Sequence, residues 1–125
     1  MIHTGSCHCG AVQFEANVAD EVEVEDCNCS ICHMSGFLHL IVPQRDFKLL
    51  AGADHLSSYR FNTGVAEHLF CKTCGIKPFY VPRSNPDGMD VNLRCLHTRP
   101  KHVKIVSFDG QNWEQVGPQL RDKSK

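Results

Sequence analysis

The run "EDCNCSICHMSG", residues 25–36, sets Cys27, Cys29 and Cys32 in a C-x-C-x-x-C pattern. A structural zinc takes four ligands, and this run supplies three thiols. Either another part of the chain completes the set, or one position is left for chemistry. The flanks place the run in a fold. Before it, "EVEVED" alternates Val22 and Val24 against Glu21, Glu23 and Glu25, the period of a half-buried strand. After it, "GFLHLIVP" (36–43) is a largely apolar stretch closed by Pro43, which predicts a strand buried on both faces. Between them, "SICHMS" (30–35), opened by Ser30, is the best helix candidate, a turn or two long.

Working outward, the same period-two signal recurs. "AVQFEANV" (11–18) alternates Val12, Phe14, Ala16 and Val18 against polar neighbours. "HLSSYRFN" (55–62), "AEHLFC" (66–71), "IKPFYVP" (76–82), "DVNLRCL" (90–96) and "HVKIVSF" (102–108) also predict short strands. Turn signals such as "AGAD", "NTG", "SNPDG" and "DGQN" separate them. No segment sustains a helical period. The expectation is a mainly β chain forming one domain over residues 1–125.

Composition narrows the function. The formal net charge is −1 and no long basic block exists, which argues against a dedicated nucleic-acid surface. No apolar run is long enough to span a membrane, and "MIHTGSCHCG" lacks the pattern of a signal peptide. A soluble, cytoplasmic protein is expected. The end "RDKSK" is expected to be a solvated tail. H-E-x-x-H, G-x-G-x-x-G and P-loop patterns are absent, so metalloprotease, Rossmann and nucleotide readings have no support.

Eight cysteines in 125 residues demand an account. An even number suits a disulfide framework in a secreted domain, but these are tightly clustered and no export signal precedes them. In a reducing compartment such clusters read as metal sites. Besides the opening run there are Cys7 and Cys9 in "GSCHCG", Cys71 and Cys74 in "CKTCG", and the single Cys95. If "GSCHCG" is extended, Cys7 and Cys9 face one side together. C-x-x-C followed by Gly75 is the turn of a zinc knuckle. Seven clustered thiols divide naturally as four plus three. Cys7, Cys9, Cys71 and Cys74 would staple distant parts of the chain, leaving Cys27, Cys29 and Cys32 with an open position. Spacing alone also allows Cys27 and Cys29 to join Cys71 and Cys74, or Cys95 or a histidine to close the second site. An open three-thiolate zinc is a weak Lewis acid toward water. It is well suited to taking a fourth soft ligand, a substrate thiol, as thiolate.

The segments "GSCHCGAVQFE", "DCNCSICH", "FCKTCG", "FYVPRSNPDG" and "VNLRCL" occur in the order found in the glutathione-dependent formaldehyde-activating enzyme family, which includes centromere protein V. The resemblance runs from about Thr4 to Val116. It implies an Mss4-like fold, a β-tent of two packed antiparallel sheets. It also implies two zinc ions: a structural one on Cys7, Cys9, Cys71 and Cys74, and a catalytic one on Cys27, Cys29 and Cys32. The implied reaction joins glutathione to formaldehyde and is classed with the carbon–sulfur lyases. The alternative is a non-catalytic, zinc-stapled interaction module.

A glutathione pocket should offer cations or N–H groups to two carboxylates, and Lys77, Arg83 and Arg94 are candidates, with ordinary surface charge as the plainer account. His33, His68 and His97 are candidate proton acceptors for the thiol, against the plainer account of surface histidines. His8 and His33 are expected to point away from metal. Cys95 is expected to be a small buried apolar residue or a neighbour of the open zinc. Phe14, Phe37, Phe61, Phe70, Phe79 and Trp113 are expected to fill the core. The loop "PRSNPDG" (82–88) is explained by turn chemistry and is placed at the border of the site.

Overall fold

The computed structural model describes residues 1–125. Ten strands form two sheets. The smaller sheet is antiparallel, with β2 (Gln13–Asn17) between β1 (Ile2–Ser6) and β5 (Phe47–Ala51). The larger has seven strands. In spatial order they are β10 (His102–Phe108), β3 (Glu21–Cys27), β4 (Leu38–Pro43), β9 (Gly88–Asn92), β8 (Phe79–Val81), β7 (Glu67–Cys71) and β6 (Leu56–Tyr59). Every pairing is antiparallel except β3 with β10, which run parallel in register from His102 opposite Glu21 to Phe108 opposite Cys27. This is the mainly β, two-sheet architecture of the Mss4-like class, with one parallel edge pair added.

The alternation in "AVQFEANV" does what its period dictates. Val12, Phe14, Ala16 and Val18 are buried together, and they meet Val24, Leu38, Leu40, Val42, Phe79 and Val91 of the larger sheet. Phe14 stacks on Phe47 and meets Phe79 edge-on, with ring centroids 5.8 and 5.5 Å apart. This apolar layer between the sheets is the core.

The other face of the larger sheet has a different character. Registers place Glu25 opposite His39, His39 opposite Asn92, Asp90 opposite Tyr80, and Tyr80 opposite His68. Side chains two residues apart or directly paired share a face, so a row of polar and aromatic groups crosses the sheet behind the core. Glu25, His39, His68 and Asp90 are all buried there. Strand β4 is buried on both faces, as its apolar run predicts, because one face meets the core and the other this row.

Three elements escape the sequence patterns. β1 and β5 carry no clear alternation of apolar residues. The C-terminal stretch is helical, with α2 (Trp113–Val116) leading into a 3-10 segment, Gly117–Ser124. Its end is not a solvated tail: Ser124 is buried, and Lys123 pairs with the buried carboxylate of Glu25. Asn85 fixes the segment, its Nδ2 donating to Leu120 O at 2.8 Å, Arg121 O at 3.1 Å and Ser124 Oγ at 2.9 Å. Asn85 therefore does more than form a turn. It is 1% exposed and clamps the chain's end onto the larger sheet.

Candidate metal centres and cavity

The sulfurs of Cys7, Cys9, Cys71 and Cys74 all lie within 4.8 Å of one another. "GSCHCG" reaches this arrangement by a turn, not by the extended geometry expected. Gly10 N–H donates to Cys7 O at 3.2 Å and Cys7 N–H to Val12 O at 3.1 Å, with Gly10 at φ 81°. The turn brings Cys7 Sγ to 3.6 Å from Cys9 Sγ, and Cys9 Sγ to 3.7 Å from Cys71 Sγ. Backbone N–H groups of Val12 and Thr73 point at the sulfurs of Cys7 and Cys71, at 3.3 and 3.4 Å. Gly75 takes φ 78°, the left-handed angle the knuckle turn requires. Four converging sulfurs with N–H support suit a tetrahedral thiophilic ion.

The second cluster sits on the opposite side of the larger sheet. Cys27 shares the polar face with Glu25, two residues back on β3. Cys71 shares the core face with Leu69, because His68 of β7 is on the polar side. Strand alternation thus separates the "CNC" cysteines from the "CKTC" pair, and the alternative grouping of Cys27 and Cys29 with Cys71 and Cys74 does not form. Cys29 caps α1 (Ser30–Ser35), which ends on Gly36 in the left-handed conformation. The first turn carries Cys32 back toward Cys27. Hydrogen bonds from Cys27 and Cys32 hold the Cys29 thiol far below its ordinary value, while Cys27, Cys29 and burial push Cys32 up.

A residue absent from the sequence expectations joins them. A ring nitrogen of His39 and the sulfurs of Cys27 and Cys32 lie within 4.8 Å of each other, with Cys29 outside that mutual set. His39 Nδ1 is 2.5 Å from Asp90 Oδ2, and Nε2 is buried without a partner. The donor set suits zinc. "FLHLIV" gave a faint signal, since a lone polar residue inside an apolar strand is either solvent-facing or in a buried polar site. Cys95 does not neighbour this cluster. It is half-buried beside the first one, where Cys7 and Cys74 act on it, and burial raises its thiol to about 11.

The second cluster opens into a cavity of about 310 Å³. Cys27, Cys29, Cys32 and His39 form part of its wall, with Phe61, Tyr80, Arg83 and Trp113 on other sides. Phe61 and Trp113 therefore line the cavity, not the core; Phe61 is 39% exposed. Phe14 and Phe79 are fully buried in the core, as expected; Phe37 is fully buried too, but outside the core, against His39 and Tyr80. Arg83 spreads over the Trp113 ring at 3.7 Å and pairs with Glu114 at 2.6 Å. The 82–88 loop contributes Pro82, Arg83 and Ser84 to the cavity wall. Arg94 is exposed and lies outside the wall.

Lys77 is not a free surface charge. Its Nζ lies 2.6 Å from His68 Nδ1 and 3.8 Å above the Tyr80 ring. Burial lowers Lys77 to about 8, and burial with the nearby Lys77 charge lowers His68 to about 4. Lys77 thus donates to a neutral His68, which stacks on Tyr80 and lines the cavity. His97 lies elsewhere, bonded to Thr4 Oγ1 and Ser6 Oγ at 3.0 Å each. His8 and His33 are exposed and outside both clusters.

Comparison with known proteins follows the same outline. The sequence model of the family described as "Glutathione-dependent formaldehyde-activating enzyme" matches residues 2–109. A protein of Halomonas elongata named "Putative glutathione-dependent formaldehyde-activating enzyme" is 33% identical, the match covering 98% of this chain and 86% of the relative. A crystal structure of a Rhodobacter sphaeroides protein superposes with a TM-score of 0.70 at 35% identity, covering 82% of this chain and 99% of that one.

Proposed function

The chain belongs to the glutathione-dependent formaldehyde-activating enzyme family, and from that membership we propose a zinc-dependent enzyme that joins a small thiol, glutathione, to formaldehyde or another small aldehyde. The observation that carries this reading is the unequal placement of the two clusters. Cys27, Cys29 and Cys32 line the cavity, whereas Cys7, Cys9, Cys71 and Cys74 do not. A metal on the four-sulfur set would tie the N-terminal turn to the knuckle after β7 and act in folding. A metal on the second set would face the substrate space, making Cys27, Cys29 and Cys32 the catalytic ligands.

When bound there, zinc supplies the means of holding a fourth sulfur as its thiolate near neutral pH, where a free thiol is only a few per cent ionised. The chain's own groups do the rest. The shell of Phe37, His39 and Tyr80 excludes water on one side of the cluster. Arg83, held flat on Trp113, offers a guanidinium to a carboxylate of the thiol at the cavity wall, in competition with Glu114. In the addition, the thiolate sulfur forms a bond to the aldehyde carbon as the carbon–oxygen π bond opens. The oxygen then takes a proton from water, which balances the proton released when the thiol ionises. This is carbon–sulfur lyase chemistry read in the forming direction. All eight cysteines are free thiols, which suits a reducing, cytoplasmic setting. No helix is long and apolar enough to cross a membrane.

The test is kinetic, because thiol and formaldehyde also combine unaided. The zinc-loaded chain should bring glutathione and formaldehyde to equilibrium faster than buffer, than the metal-stripped chain, and than Cys29→Ser. Equal rates in all four would sink the enzyme reading and leave a zinc-stapled interaction module.

A further inference from the structure

His39 stands on β4, on the same face of the sheet as Cys27. It is 5% exposed, and its two ring nitrogens face different chemistry. Nδ1 lies 2.5 Å from Asp90 Oδ2, with the Tyr80 hydroxyl 3.3 Å away, so the ring donates its Nδ1–H to the carboxylate. In the neutral ring that bond leaves the lone pair on Nε2. Nε2 is buried and lacks a hydrogen-bond partner. The sulfurs of Cys27 and Cys32 are the donors grouped with the ring, all within 4.8 Å. A carboxylate on one nitrogen, a second nitrogen left unpartnered and two thiols beside the ring are how histidine is presented to a metal, the carboxylate fixing tautomer and ring angle.

We propose that His39 Nε2 is a protein ligand of the metal held by Cys27, Cys29 and Cys32, giving a resting donor set of three sulfurs and one nitrogen. An entering thiol then replaces His39, not a solvent molecule. The exchange would break the metal–nitrogen bond as the metal–sulfur bond forms, with the thiol releasing its proton to water. Asp90 is the positioning residue, since it holds the ring without reaching the metal. This inference rests on the reading that the second cluster binds a metal. It adds the consequence that the thiolates are capped by the protein until substrate arrives.

Cadmium-113 replacing zinc in the full chain, with nitrogen-15 in histidine, tests the inference without measuring activity. Soft sulfur and nitrogen donors hold both ions alike. Two cadmium resonances are expected, one from the four-sulfur set and one displaced from it by the nitrogen donor. The second should show one-bond coupling to His39 Nε2. His39→Gln should abolish that coupling and shift only that resonance, the four-sulfur signal serving as the check on folding. Glutathione added to the wild-type chain should remove the coupling and move the second resonance toward the first. Two resonances without nitrogen coupling would overturn the role of His39 and leave the proposed function intact. Coupling that survives saturating glutathione would overturn the displacement. A single resonance in the wild-type chain would overturn both the inference and the metal reading beneath it. The coupling in the wild-type chain decides the matter even if His39→Gln does not fold.

Discussion

Gly110 shows how tightly single residues hold the second cluster. A Cβ built on it would lie 2.3 Å from Cys27 Sγ and 3.0 Å from Cys29 Cβ, so the loop after β10 touches the sulfurs only because it carries no side chain. Asn28 ties that loop to the cysteine run, its Nδ2 donating to Asp109 Oδ1 at 2.9 Å and its Oδ1 accepting from Gln111 N–H at 3.0 Å. Gly110→Ala should displace Cys27 while sparing the four-sulfur set. Metal analysis should fall from about two ions per chain toward about one, with the circular dichroism of the strands unchanged. His68 sets a pH dependence. Its folded value of about 4, against an ordinary 6.5, follows from burial and then from Lys77. Between those values the unfolded chain binds a proton that the folded chain refuses, so stability is full above 6.5 and declines as pH falls toward about 4. In denaturant midpoints measured across that range, His68→Gln should flatten the slope. A slope as steep as the wild type's would remove His68 as its source. None of these contacts is readable locally, since "DGQN" announces only a turn.

At the scale of elements, the strands with period-two patterns were legible because alternation is a local consequence of having one wet and one dry face. "AVQFEANV" is the clearest case, and "SICHMS" folds as the short helix its opening serine suggests. Glu25 breaks the pattern it belongs to. It alternates like an exposed glutamate, yet the C-terminal segment covers its face and supplies Lys123 as partner. That segment was illegible because it forms no stable element alone. Its hydrogen bonds reach Asn85, Asp87 and Glu25, residues far back in the sequence. Asn85→Ala removes three of those bonds and leaves buried carbonyl groups without a donor, a loss of about 2 kcal/mol. Urea unfolding should report it, and limited proteolysis should cut faster between residues 117 and 125. Unchanged proteolysis would mean that the segment is held by its other contacts.

For the whole molecule, the larger sheet acts as a partition. Its core face carries the apolar layer and Cys71, and its other face carries the cavity, Cys27 and His39. The two cysteine clusters should therefore fail differently. Cys71→Ser should unfold the domain or lower its thermal midpoint sharply, because a metal there closes a long loop between the sheets. Cys29→Ser should leave a folded chain near the wild-type midpoint with one ion lost. Equal collapse of both variants, measured by calorimetry with metal analysis, would show that the second cluster also supports the fold. The sequence by itself determined the mainly β character, the positions of most strands and the seven clustered thiols, because each is carried by neighbours a few residues apart. Only the tertiary structure decided how those thiols divide and that His39, backed by Asp90, joins Cys27 and Cys32. It also decided that Phe61 and Trp113 line a cavity instead of filling the core. These depend on register between strands far apart in the chain, where a shift of one residue turns every side chain to the opposite face.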